Sequence, residues 1–195
     1  VVSPDRAVIE QRVEASCRAE RWSEAATAAI GGYGEEILGY LVAMARDQTL
    51  AADAFSTFAE DLWKGLAKFR WESTLRTWAY VLARSALARV RSDPHRRRAV
   101  PLDDADVEAI AASVRSRTAT FLRTETRDKI ARLRATLDPD DQTLLILRIN
   151  RGLAWRDVAR VLADDSSIPL DKRASALRKR FERLKVELKA RASAE

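Results

Sequence analysis

The chain has little of what most catalytic and metal sites are built from. It contains a single cysteine, Cys17, so it can form neither an intrachain disulfide nor a thiolate-rich zinc site. A buried or bystander thiol is the expected role. The sole histidine, His95, lies in a charged break with no cysteine near it. No glycine-rich loop of phosphate-binding type is present. Asp103, Asp104 and Asp106 fall short of a calcium loop, because no suitable Gly and closing Glu follow at the required spacing. No catalytic residue, no metal ligand and no cofactor are therefore expected, and an enzyme is the least favoured class. No apolar run is long enough to span a bilayer, and the opening VVSPDRAVIEQRVE lacks the basic-then-apolar order of a signal peptide. A cytoplasmic protein without membrane insertion is expected. Gly and Pro number only 6 and 5, which leaves little low-complexity sequence.

What is present is helical pattern and positive charge. Hydrophobic residues make up 47% of the 195, enough for a core in one domain or two small ones. The net charge of +6 favours an anionic partner, though where the charge sits matters more than its sum. The clearest placement is at 171–191, DKRASALRKRFERLKVELKAR. Leu177, Phe181, Leu184 and Leu188 recur at helical spacing and form one stripe, with Lys172, Ser175, Lys179, Glu182, Arg183 and Val186 roughly opposite. Nine basic residues face only Asp171, Glu182 and Glu187. Such a helix docks by one side and offers the other to phosphate; the plainer interpretation is a solvated terminal helix.

Taken in order, Ser3-Pro4-Asp5 reads as a start for a short helix to about Ala19, and Ser23 as a cap for the next. Gly31, Gly32 and Gly34 mark a turn or helix break before an apolar helix over 35–45. Thr49 or Asp53 opens a helix whose Phe55, Phe58, Leu62, Leu66 and Phe69 make a core stripe, with Asp53, Glu60, Asp61 and Lys64 largely off it. Lys68 to Thr74, KFRWEST, is an aromatic and basic connector, with Ser73 or Thr74 as N-cap of the following helix. That helix carries Trp78, Val81, Leu82, Ala86 and Leu87 on its apolar side and Arg84, Arg89 and Arg91 elsewhere, and runs to Ser92-Asp93-Pro94 and the cluster His95-Arg96-Arg97-Arg98. Rings that stack on bases and cations that meet phosphates suit a single strand. Trp78 reads more simply as core; Trp71, between Arg70 and Glu72, does not. Residues 99–124 read as an acidic, small-residue linker, partly helical, between two domains at 1–98 and 125–195. The second domain shows a helix with Ile130, Leu133 and Leu137, a stop and restart at Asp138-Pro139-Asp140, a Gly152 turn, a short helix from Leu153 to about Leu162, and the basic terminal helix. Short helix, connector, basic helix is the order of a helix-turn-helix. The fold class expected is all-α: two small helical domains joined by a linker.

In this order the motifs resemble an extracytoplasmic-function (ECF) RNA polymerase sigma factor. The first domain is similar to region two of that family through Ala52-Asp53-Ala54-Phe55, Phe58 to Leu62, Phe69 and Thr77-Trp78-Ala79 to Arg84. The second is similar to region four through Leu137-Asp138-Pro139-Asp140-Asp141, the run to Ile149, and Gly152-Leu153-Ala154-Trp155-Arg156-Asp157-Val158-Ala159. The resemblance implies a transcription initiation factor with core RNA polymerase and promoter DNA as partners. Asp53, Glu60, Asp61 and Lys64 would meet the polymerase clamp helices. Lys68, Arg70, Trp71, Ser73, Thr74, Arg76, Arg84 and Arg91 would melt and read the minus-ten element. Lys172, Arg173, Ser175, Arg178, Lys179 and Arg183 would sit at the minus-thirty-five element, the first three nearer the bases and the last three on phosphates. Members of the family are often held by an anti-sigma factor, so such a partner is also implied. Two segments depart from the family pattern: the longer connector 163–170, ADDSSIPL, and the extra N-terminal helix. Two other classes compete. A helix-turn-helix regulator acting without polymerase uses the C-terminal half and leaves 68–98 unexplained. A helical interaction scaffold makes every basic face a solvated one.

Overall fold

A computed structural model describes residues 6–92, 104–125, 136–163 and 167–194, and the side chains of these except 117–125 and 192–194. All secondary structure among them is helical, as expected. The chain divides into two compact units, Val1–Leu122 and Arg123–Glu195. The expected helix around Ile130 and Leu133 and the cluster His95 to Arg98 lie outside the described residues. None of the described helices is long and apolar enough to cross a membrane.

In the first unit, α1 (Arg6–Arg18), α2 (Trp22–Ala45), α3 (Gln48–Gly65), α4 (Leu75–Ser92) and α5 (Ala105–Glu125) surround a core of Ile30, Ile37, Leu41, Phe55, Phe58, Leu62, Leu75 and Tyr80. The Tyr40 and Tyr80 rings meet edge to face, 5.4 Å apart between centroids. The cap of α3 is Asp47, whose carboxylate accepts from the Leu50 N–H at 3.0 Å, not Thr49 or Asp53. Ser23 likewise lies inside the first turn of α2, which has no side-chain cap.

The glycines of α2 do not break it. A Cβ at Gly32 would lie 2.7 Å from Ile9 Cγ2, and one at Gly34 3.1 Å from Val114 Cγ2. The glycines are seats for α1 and α5, and the close apolar packing there outweighs the roughly 1 kcal/mol that Gly costs a helix interior. The expected linker differs in the same way. Over 105–122 it is a helix belonging to the first unit. Asp104 caps it, and Val107, Ala111 and Val114 are fully buried. Apolar residues spaced by four and three are enough for one buried stripe, and the surrounding acids and small residues mask it in the sequence.

In the second unit, Asp138 caps α6 (Pro139–Leu145), with Pro139 at the first position, as the sequence suggests. A π turn over Ile146–Asn150 ends it, and Gly152 follows with φ 65°. After this come α7 (Trp155–Val161) and α8 (Leu170–Ala194). Ala174, Leu177, Phe181 and Leu184 bury the inner face of α8, alongside a core of Leu144, Leu145, Leu147, Val158 and Val161.

Candidate nucleic-acid interface

The connector begins where α3 ends. A 3-10 turn, Leu66–Lys68, closes that helix, and Phe69 turns out into extended backbone. The Phe69 ring stacks on Trp78 of α4, with centroids 4.6 Å apart and planes 19° from parallel. It also meets Trp71, at 4.8 Å and 53°. Three rings thus form a series, Trp78–Phe69–Trp71. Trp78 needs room at its far edge, and Gly65 provides it: a Cβ there would lie 2.8 Å from Trp78 Cζ2. Trp71 has φ 57°, a left-handed conformation that a residue with a side chain adopts at a cost of about 1 kcal/mol. Its ring is half-buried, while Lys68 and Arg70 beside it are exposed. The Ser73 hydroxyl donates to the Thr74 carbonyl at 3.2 Å. Thr74 is the cap: its Oγ1 accepts from the Thr77 N–H at 3.1 Å.

Arg76 does not belong to this face. It is buried, at 8% exposure, and its guanidinium pairs with Glu36 of α2, to which the Tyr80 hydroxyl also donates at 2.7 Å. It also lies over the Tyr80 ring, 5.9 Å from the centroid. A buried cation needs a partner, and an arginine one residue into a helix facing the core finds it there. Arg84 is half-buried on the same helix. Arg91 is exposed but donates to the Met44 carbonyl at 2.5 Å, so it also ties α4 to α2.

Among the acids of α3, Asp61 is paired with Arg89 of α4. Glu60 meets Lys64 one turn on, at 2.5 Å on an open surface, which contributes a few tenths of a kcal/mol. Asp53 is half-buried, and Thr57 Oγ1 donates to its backbone carbonyl. Of the four charges expected in a row, Glu60 and Lys64 therefore pair with each other and Asp61 pairs with Arg89.

In the second unit, the outer face of α8 carries Lys172, Ser175, Lys179 and Arg183, all exposed, with Arg173 half-buried nearer the domain. Arg178 stands on one flank, its guanidinium 5.6 Å from the centroid of Trp155, the first residue of α7. Arg148, from the π turn, lies over the same ring at 4.8 Å and donates to the Leu153 carbonyl. The ring itself meets Phe181 edge-on at 5.4 Å. On the opposite flank Arg180 pairs with Asp138 at 3.0 Å and with the buried Asp141. Hydrogen bonding to Asp141 raises the Arg180 guanidinium further above its usual range, so this cation is fixed internally. Burial pushes the Asp141 carboxyl up. Burial acts the same way on Asp138, but hydrogen bonds from the Asp141 backbone and side chain, with Arg180, bring it below its usual range. Arg156 meets Asp171 at 3.1 Å across the exposed junction of α7 and α8.

Sequence reasoning misses two groupings here. Along the chain Phe69 is only the end of a core stripe and Trp78 only core, yet together they hold Trp71. Arg148 and Trp155 give a signal, a cation seven residues from an aromatic across a glycine turn, but only the fold places them face to face. Compared with models of known protein families, with curated proteins and with solved structures, the chain matches none.

Proposed function

We propose that the chain is a bacterial transcription initiation factor of ECF type, which binds core RNA polymerase and directs it to promoters. The observation that carries this reading is the series Trp78–Phe69–Trp71, ending in a half-buried Trp71 that follows exposed Lys68 and Arg70 in the connector. An aromatic ring held by a second ring, in a connector that carries exposed cations, suits an unstacked base and its phosphates. A duplex offers no free base face, so such a ring acts only once strands have separated. Ser73 and Thr74 line the same connector and complete the minus-ten surface, with Arg84 and Arg91 further along α4. Arg76 has no part in it.

The second unit supplies the duplex half. Its α8 offers Lys172, Arg173 and Ser175 toward bases of the minus-thirty-five element, and Lys179 and Arg183 toward phosphates, with Arg178 held beside them by Trp155. Asp53, Glu60 and Lys64 of α3 would meet the polymerase, while Asp61 is tied to Arg89. A cytoplasmic location and control by an anti-sigma factor belong to the same reading. A regulator that works without polymerase leaves the aromatic series without a task.

The test is to mix the purified chain with core bacterial RNA polymerase and a library of promoter fragments. Association together with transcripts from defined start sites supports the proposal. Duplex binding without polymerase association replaces it with the regulator, and neither activity leaves a scaffold.

A further inference from the structure

No sequence motif assigns the N-terminal helix a role, and the structure brings one of its side chains to the connector. The Glu10 carboxylate of α1 reaches the start of α4. Its Oε2 accepts from the Leu75 N–H at 2.8 Å, and its Oε1 from the Arg76 N–H at 3.1 Å. The Tyr33 hydroxyl donates to the same Oε1 at 2.9 Å. Burial, and then this bond to Glu10, push the Tyr33 hydroxyl above its usual range. The Thr77 N–H goes to Thr74 Oγ1, and the Trp78 N–H to the Thr74 carbonyl. The N–H groups of Leu75, Arg76 and Thr77, which have no acceptor within the helix, are therefore all satisfied, two of them from another helix. Such donors are normally left open at a helix start, where they carry partial positive charge. Here a carboxylate of the chain itself fills the place an outside anion would take.

Glu10 is delivered rigidly. Its neighbour Ile9 seats on Gly32, and Val13 is fully buried one turn on. The connector is thus held at one end by the stacking of Phe69 on Trp78 and at the other by Thr74 and Glu10. Between them Trp71 keeps a left-handed backbone, which persists only where the surroundings over-determine it. We infer that Glu10 is a positioning residue: α1 fixes the start of α4 and thereby sets the connector that presents Trp71. The functional half of this inference rests on the connector being the single-strand surface proposed above.

The experiment compares the full-length chain with Glu10→Ala and Glu10→Gln. Two quantities are read: amide hydrogen exchange resolved along the chain, and affinity for a labelled single-stranded oligonucleotide and for its duplex. Loss of an acceptor from otherwise unbonded amides raises their exchange, so Glu10→Ala should speed exchange at Leu75 and Arg76 at least about tenfold. The increase should extend into 70–74 and leave 80–90 unchanged. Single-strand affinity should fall several-fold and duplex affinity should hold. In Glu10→Gln one oxygen can keep Tyr33 and Arg76 while the amide opposes the Leu75 N–H, so values between wild type and Ala are expected. Unchanged exchange over 70–76, or a uniform rise across the first unit, overturns the positioning role. Raised connector exchange with unchanged single-strand affinity overturns its functional half. If the wild-type chain binds no single strand, the proposed function fails, and exchange still decides what Glu10 does. Should Glu10→Ala not fold, Glu10→Gln carries the same comparison.

Discussion

Asp138 does two jobs with one carboxylate. It accepts from the Asp141 N–H at 2.9 Å as the cap of α6, and it pairs with Arg180 of α8. Its pKa is held below the usual carboxylate range, while that of Asp141 is pushed above it by burial. On acidification the first proton therefore goes to Asp141, and Asp138 stays ionised to hold both cap and arginine. A carboxylate with a lowered folded-state pKa contributes stability above its unfolded value and loses it as the pH falls through the lowered one. Asp138→Ala should cost about 1 kcal/mol near neutral pH, the usual value of such a cap. The difference from wild type should shrink as the pH drops below the ordinary carboxylate range. Thermal unfolding followed from pH 7 downward, with flanking salt held constant, checks this, and a cost independent of pH contradicts it. The capping role of Asp138 is legible in the sequence alone, because Asp-Pro-Asp ahead of an apolar run is a helix start whatever surrounds it. The roles of Arg76, Asp61 and Arg180 are not. Nothing in a one-dimensional pattern says that Arg76 will find Glu36, 40 residues away, or that Asp61 will find Arg89.

Periodicity makes the helices readable, and tertiary contact decides where they stop. The stripes of α3, α4 and α8 are visible because each buries one face, and a face repeats at helical spacing. The continuity of α2 and the docking of α5 are hidden by the same residues. Gly31, Gly32 and Gly34 signal a break when read locally, yet they are where neighbouring helices come closest: Ile110 and Val114 of α5 lie over Gly31 and Gly34. Arg115 of α5 adds polar ties, donating to Ser56 Oγ of α3 at 3.0 Å and to Glu108 at 2.6 Å. Adding bulk at Gly34 should lift α5 without unfolding α2, because a helix former replaces glycine while Val114 loses its seat. Gly34→Val is expected to destabilise the contact by about 1–3 kcal/mol, the range for overpacking. Limited proteolysis should then cut within 104–116 faster than in wild type, with the far-ultraviolet helical signal of the folded protein nearly unchanged. If protection persists, the close approach at Gly34 is not what seats α5.

At the scale of the whole molecule, the proposal divides promoter use between two compact units that share no residue. Trp71 lies in one and Lys179 in the other, so their losses should appear in different measurements. Lys179 is exposed on the outer face of α8. Removing one phosphate contact weakens duplex binding across sequences and lowers the slope of log affinity against log salt by about 1. In the proposed role Trp71 meets only unpaired bases, so Trp71→Ala should leave duplex affinity and its salt slope alone. Promoter opening should weaken by about 1–3 kcal/mol, the worth of one base–aromatic stack. Losses at independent sites add to within about 0.3–0.5 kcal/mol. The double variant should therefore show both defects at their single-variant sizes. An opening defect that depends on Lys179, or a salt slope that depends on Trp71, would mean that the two units do not contribute independently. Equal losses in opening and duplex binding from Trp71→Ala alone would remove the single-strand role from the connector, and with it the observation on which the initiation-factor reading rests.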